Sequence, residues 1–233
     1  MKTIAKYTRI RGAKILEIGC GYGAFTSLLS QKGALVVGTE IDDISLKIAR
    51  KFLGHNRQVK LVKVADELLP FKKNYFDVVV MFDVIEHVKN PKRIMQEIYR
   101  VLKNHGTLYI EFTPYYSLIG HHLYDITVFP IHIFSKKYIR KFIYQKVKNK
   151  RGIFGAKEYW ENFKSLNQMK ISKFQEYAKT FDCLEERFLF RLPHWGINIP
   201  FFKYLRSLKD IFTFSFEGIY RKNIIQDDKL YKK

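Results

Sequence analysis

The sequence predicts an α/β fold: a doubly wound, mostly parallel sheet with helices on both faces and an inserted helical cap. Three observations predict it. Short apolar runs alternate with amphipathic stretches from residue 13 to residue 113, the β-α alternation of a parallel sheet. One run, Phe76–Phe82 (FDVVVMF), is almost continuously apolar, as in a strand buried on both faces. A glycine-rich turn, Gly19-Cys20-Gly21-Tyr22-Gly23, joins the first strand to the first helix, and open sheets of this kind take their ligands at the carboxyl ends of the strands.

Each element follows from local pattern. Ala13–Ile18 (AKILEI) is a short apolar run that stops at Gly19 and reads as a buried strand. Residues 24–31 (AFTSLLSQ) read as a helix ended by Gly33. Ala34–Thr39 is β-rich, and Ile44–Leu53 spaces Ile44, Leu46, Ile48, Ala49 and Phe52 as a helix does. Val59–Val64 (VKLVKV) alternates with period two, and Phe76–Phe82 is the central strand. Pro91–Leu102 opens with proline in its first turn and sets Ile94, Ile98, Val101 and Leu102 to one side, so it reads as a helix. Gly106–Phe112 is the next strand. Residues 114–165 are too long for a loop and form the inserted cap. A helix over Ile171–Thr180, a strand over Cys183–Phe190, a second insertion over 191–212 and a closing strand over Phe214–Arg221 complete the chain.

With 233 residues, 47% hydrophobic, the chain has material for one sizeable core, which excludes disorder and favours a single domain spanning residues 1–233. No run of 18 apolar residues predicts a spanning helix, and the opening MKTIAKYTRIRGAKI lacks the apolar stretch of a signal peptide. Cys20 and Cys183, without a CxxC pair, indicate neither a disulfide framework nor a zinc site. The expectation is a reduced, cytoplasmic protein. Its formal charge of +20 includes a dense run of Lys136, Lys137, Arg140, Lys141, Lys146, Lys148, Lys150 and Arg151. That run suits phosphates or an anionic membrane surface, and equally a solvated helix face. Phe201–Phe212 is amphipathic, aromatic and basic, a second segment suited either to a bilayer surface or to the core.

The chemistry gathers at strand ends. Glu17 precedes the glycine turn in the spacing E-x-G-x-G-x-G, which differs from the G-x-G-x-x-G of dinucleotide binders and so weakens a dehydrogenase reading. Glycines let the backbone turn and approach a ligand, and the helix beyond offers free N–H groups. Glu40 closes the second strand 17 residues after Gly23, where an acid accepts from ribose hydroxyls; Asp42 and Asp43 read as caps of the next helix. Ala65-Asp66-Glu67 follows the third strand, where a carboxylate can accept from an adenine amine, or where an ordinary polar loop can stand. Phe82-Asp83-Val84-Ile85-Glu86-His87-Val88 follows the central strand, where a substrate should meet a cofactor.

LEIGCGYGAFT, GTEID, ADELLPF, FDVVVMFDVIEHV and RVLKNHGTLYIEFTP together resemble the class I S-adenosylmethionine-dependent methyltransferases, in the branch of ubiquinone-biosynthesis and small-molecule methyltransferases. The resemblance is close over residues 13–113 and returns at SLNQMKISKFQEYAKTF and FEGIYRK. It implies a seven-stranded Rossmann-like sheet with an antiparallel closing hairpin. It also implies a cofactor site of S-adenosylmethionine: Gly19, Cys20, Gly21 and Gly23 along the methionine part, Glu17 beneath the loop, Glu40 on the ribose diol, Ile41 on the adenine ring, Asp66 on the adenine amine with Ala65 and Glu67 beside it, the Phe82 carbonyl near the cofactor, and Asp83 at the start of the substrate side.

The methyl acceptor implied is the oxygen or another heteroatom of a small molecule, including anionic or lipid-linked ones. A hydroxyl acceptor needs a general base, and histidine suits neutral pH. The candidates are His87, past the central strand, and His121, His122 and His132 in the cap; Tyr115, Tyr116 and Tyr124 would shape an aromatic pocket or the cap core. His55, His105 and His194 read as surface or loop residues. Asp83, Glu86 and His87, spaced i, i+3, i+4, could bind a divalent cation; the preferred reading is that Glu86 and His87 brace the loop by hydrogen bonds, and no metal is assigned. The charge also raises a nucleic-acid substrate, and peripheral membrane contact. Against nucleic acid, the position after the central strand reads FDVI and carries no NPPY- or DPPY-type motif.

Overall fold

In the computed structural model, described for residues 2–65, 67–118, 120–123, 125–127, 129–147, 155–192, 195–198 and 209–223, one eight-stranded sheet forms the centre. Its order is β3 (Val59–Lys63), β2 (Leu35–Glu40), β1 (Lys14–Ile18), β4 (Phe76–Phe82), β5 (Leu102–Phe112), β8 (Ser215–Lys222), β6 (Phe181–Leu192) and β7 (Trp195–Asn198). The first five in that order are parallel; β8 runs antiparallel to β5 and to β6, and β7 antiparallel to β6. The seven expected strands are present. The eighth, β7, falls in the stretch read as a second insertion, where a four-residue edge strand leaves little periodicity to read.

The central strands are buried because helices cover both faces. In β1, Ile15 joins one apolar cluster and Leu16 the other, which is the period-two geometry of a strand between two layers. Helix α1 (Lys2–Tyr7) and α2 (Ala24–Gln31) lie at the start of the chain; α3 (Asp43–Leu53) and α4 (Pro91–Val101) follow β2 and the loop after β4. The caps are local: Asp42 accepts from Ser45 N at 2.7 Å, and Asn90 from Arg93 N at 3.1 Å with Pro91 in the first turn. On α3 only Leu46 and Ala49 reach the core. Ile44, Ile48 and Phe52, one i, i+4 row, stand outside at 69%, 42% and 61% exposure, so the expected apolar face is split in two.

Within residues 114–165, α5 (Lys136–Val147) packs on α6 (Ala156–Ser165) over a separate apolar cluster of Leu123, Ile131, Ile139, Ile143, Val147 and Phe163. Helix α7 (Ile171–Tyr177), shorter than expected, ends in a 3₁₀ turn at Ala178–Thr180 and leads into β6. Helix α8 (Lys209–Phe212) precedes β8. Lys148, Lys150 and Arg151 of the basic run, and residues 201–208 of the amphipathic segment, lie outside the described residues. No described helix is long and apolar enough to cross a membrane.

Candidate active site

The carboxyl ends of β1, β2, β4 and β5 are level: Ile18 pairs Thr39 and Met81, and Phe82 pairs Glu111. The glycine turn therefore opens onto the sheet's carboxyl edge. Gly19, Gly21 and Gly23 all have positive φ (71°, 50° and 85°), which L side chains rarely adopt. Their surroundings differ. A Cβ on Gly19 would sit 2.3 Å from Val84 Cγ2, and one on Gly23 2.8 Å from Leu53 Cδ1, whereas one on Gly21 would meet nothing within 4 Å. Gly19 and Gly23 are small because protein touches them; Gly21 borders open space.

The loop is knitted to β2. Gly19 N and Cys20 N both donate to Thr39 O at 2.9 Å. The Cys20 side chain turns away from the cleft: its Sγ would lie 3.0 Å from a Cβ on Gly38, and burial beside Glu17 and Glu40 pushes the thiol up to about 12. Only its backbone borders the loop. Glu17 lies beneath, 3% exposed, and accepts from the Thr26 hydroxyl rather than from loop amides; burial raises its carboxyl to about 7. Glu40 spans the turn, accepting from Gly21 N at 2.9 Å and from Ile41 N and Asp42 N at 2.7 and 3.1 Å. Ile41, at the same strand end, is 66% exposed.

The third expected element is only partly placed. Asp66 lies outside the described residues, and Ala65 is exposed. Glu67, expected beside Asp66, also serves the fold. Its Oε1 accepts from Asn90 N at 3.0 Å and pins the start of α4, because an acid beside a helix N-terminus finds free N–H groups there.

Beyond β4, the Phe82 ring is wedged between Phe25 and Tyr109 at centroid distances of 4.4 and 5.0 Å. Asp83 takes φ 49°, and its N–H donates to Glu111 O at 2.9 Å. The recessed position and the Glu111 charge raise its carboxyl to about 6. The 3₁₀ turn Ile85–His87 then buries Glu86 to 1% exposure, where neither carboxyl oxygen makes a hydrogen bond. Of the two residues expected to brace the loop by hydrogen bonds, His87 makes one, to Ser165, and the Glu86 carboxyl does not. Further bracing comes from Asn167, whose Nδ2 donates to Ile85 O and Val88 O at 2.8 Å and whose N donates to Glu86 O at 2.7 Å. Burial and the nearby Asp83 hold the Glu86 carboxyl well above the usual range.

The structure divides the four histidines into two pairs. His87 and His122 pack edge to face at 5.2 Å, and His122 Nε2 lies 3.6 Å from Glu86 Oε1. Ser165 Oγ stands 2.6 Å from His87 Nδ1 while donating to Asn162 O, so it accepts from Nδ1–H and leaves the His87 Nε2 lone pair free. His121 is fully buried and accepts from Leu123 N at 2.9 Å on Nδ1; His132 lies 5.8 Å away, beside Tyr115. Burial lowers His87, His121 and His122 to about 4 and lowers His132 as well. All are neutral at physiological pH. Glu86, His87 and His122 bring one ligand atom each within 4.8 Å of one another, a donor set that can take a divalent cation; Asp83, one of the three residues expected to bind it, is not in that set. Tyr124 and His194 lie outside the described residues.

Residues 16–110 match the model of a family described as methyltransferase domain. The ubiquinone biosynthesis O-methyltransferase of Idiomarina loihiensis is 35% identical over 100 residues, 42% of this chain and 41% of that protein, and its Nitrosomonas europaea counterpart is 31% identical over 97 residues, 41% of each. The chain thus spans about two fifths of the length of these curated relatives. Among solved structures, an S-adenosylmethionine-dependent methyltransferase of Mesorhizobium loti superposes with a TM-score of 0.61 at 14% identity, covering 94% of this chain and 95% of that one. A Bacillus halodurans protein described as a putative methyltransferase gives 0.58 at 18%, covering 96% and 98%. The sheet and its flanking helices are the class I S-adenosylmethionine-dependent methyltransferase fold.

Thr26, Asn167, Ser165 and Glu111 shape the site and escape sequence reasoning. Each is a single polar residue inside an otherwise ordinary helix, loop or strand, and only the fold brings it to the strand ends.

Proposed function

We propose that the protein transfers a methyl group from S-adenosylmethionine to an oxygen or another heteroatom of a small acceptor bound beneath the cap. The observation that carries this reading is the glycine turn. Gly21 faces open space at the strand ends, and Glu40 is already held across it by three backbone amides. The residues fit the cofactor. Glu40 keeps lone pairs for a ribose diol, exposed Ile41 offers an apolar surface to a purine, and Glu17 beneath the loop is a carboxyl whose ionised form a nearby cation stabilises. When bound, the cofactor supplies a methyl group already activated on a sulfonium sulfur.

The remaining work is positioning and proton removal. The cap closes over the end of β4 and excludes water through Tyr115, Leu123 and His121, all buried. His122 Nε2, neutral and without a hydrogen-bond partner, is the atom that takes the acceptor's proton, with the Glu86 carboxyl 3.6 Å away. Calorimetry of the full chain with S-adenosylhomocysteine tests the cofactor site: a binding heat is expected, and its absence in folded protein overturns the reading. A screen of phenol, catechol and amine acceptors for methyl transfer then defines the acceptor.

A further inference from the structure

The outer surface of the cap carries a patch that the site does not use. Residues 126–147 contain five Lys or Arg residues and no Asp or Glu. Helix α5 turns Ile139, Ile143 and Val147 into the cap core, which leaves Lys136, Lys137, Arg140, Lys141 and Lys146 outside. Lys136 and Lys137 occupy the first turn, where the helix dipole disfavours cations, and no acid in that turn offsets them. Folding does not favour that placement, whereas an external anion would.

Apolar groups stand among these charges. Phe129, Ile133, Phe134 and Tyr138 are 55%, 67%, 43% and 50% exposed. They are contiguous, with Phe129 and Phe134 stacked at 6.2 Å and Phe134 and Tyr138 at 5.0 Å. Arg140 continues the row over the Tyr144 ring at 5.6 Å. Scattered exposed apolar residues are ordinary, but a connected aromatic row rimmed by cations marks an interaction surface.

We propose that this face docks on an anionic bilayer, with Phe129, Ile133, Phe134 and Tyr138 at the boundary of headgroups and acyl chains and the α5 cations among the headgroups. A nucleic acid would use the cations and the rings, but Ile133, the most exposed of the four, has no role there.

The test is flotation of the full chain with vesicles of phosphatidylcholine alone and with increasing phosphatidylglycerol. Binding is expected to need the anionic lipid, to rise steeply with its fraction and to fall with salt. Exchanging Lys136→Gln, Lys137→Gln and Lys141→Gln together removes about fivefold per cation, on the order of a hundredfold in all. Ile133→Ser with Phe134→Ser leaves a weaker attraction that high salt abolishes. All five positions are exposed, so unchanged unfolding midpoints are expected, and the lipid titration of the unaltered chain reads the charge dependence without any variant. No flotation with phosphatidylglycerol, equal binding by the variants and the parent, or retention of single-stranded RNA at a salt where vesicles are not bound would each overturn the proposal.

Discussion

The two halves of this molecule treat their polar groups differently. From β1 to the end of β4, carboxylates are satisfied from within: Glu17 by Thr26, Glu40 by three amides, Asp77 by Lys14 N and Lys103. Beyond that point satisfied carboxylates such as Glu97 and Glu185 stand beside buried groups that have no partner. Among the described residues, every buried side-chain atom without a hydrogen-bond partner belongs to residue 86 or later, including both oxygens of Glu86, Ser117 Oγ, His121 Nε2, His122 Nε2 and His132 Nδ1. Each such group costs about 1–3 kcal/mol. The cofactor side is a finished cradle that needs only an open face at Gly21. On the function proposed above, Glu86, His121 and His122 on the acceptor side would find their partner in the substrate.

The sharpest way to break that contrast is at the glycines. Gly19→Ala drives a methyl into Val84 at positive φ, so loss of the folded loop and of all cofactor binding is expected, with thermal unfolding lowered by several degrees. Gly21→Ala meets no atom and adds only the backbone cost, about 1–2 kcal/mol, so it should fold while its calorimetric affinity for S-adenosylhomocysteine falls. Equal stability losses in the two variants would show that Gly21 also serves packing. Glu40→Ala comes next. Loss of charged hydrogen bonds to the ribose should weaken cofactor binding by about 1.5–3 kcal/mol, and unchanged affinity would remove Glu40 from the cofactor site.

The same division governs what can be read from sequence. The sheet, the glycine turn and Glu40 are legible because strand periodicity and turn chemistry are local properties. The helix cap at Asp42 is legible for the same reason. The Glu67 bond to Asn90 N, 23 residues away, is not legible, because only the fold brings the loop after β3 to the start of that helix. Four histidines are visible as candidates, yet their division into pairs depends on how residues 114–165 fold back over β4, a tertiary matter. Ser165 and Asn167, which set the His87 tautomer and hold the loop, stand in the SLNQMKISKFQEYAKTF stretch, yet no local pattern gives them a role there.

On the acceptor side, smaller effects separate the two histidine pairs. His121 is fully buried and lowered to about 4. Its folded value lies below the unfolded value near 6.5, so the stability it allows is present above pH 6.5 and is lost as pH falls toward 4. Between pH 7 and pH 5 that loss is about 2 kcal/mol. Denaturant midpoints of the wild type and of His121→Phe at both pH values measure it: the wild type should lose more than the variant, and parallel losses would mean that His121 is not held neutral by burial.

The smallest effect is the most informative about Glu86. Its carboxyl is raised far above the usual range, so its contribution to stability is complete below the unfolded value near 4.5 and is lost as pH rises above it. Glu86→Gln keeps the shape and cannot ionise. At pH 4.5 the variant should match the wild type to within about 0.5 kcal/mol, and above neutrality it should be the more stable of the two, by a margin that grows with pH. A variant less stable than the wild type at pH 8 would mean that Glu86 is ionised in the folded protein and has found a positive partner, either protonated His122 or a cation shared with His87. Repeating the pH 8 measurement with added zinc or manganese tells these apart, since only a cation shared among Glu86, His87 and His122 raises the wild-type midpoint while leaving the variant unmoved.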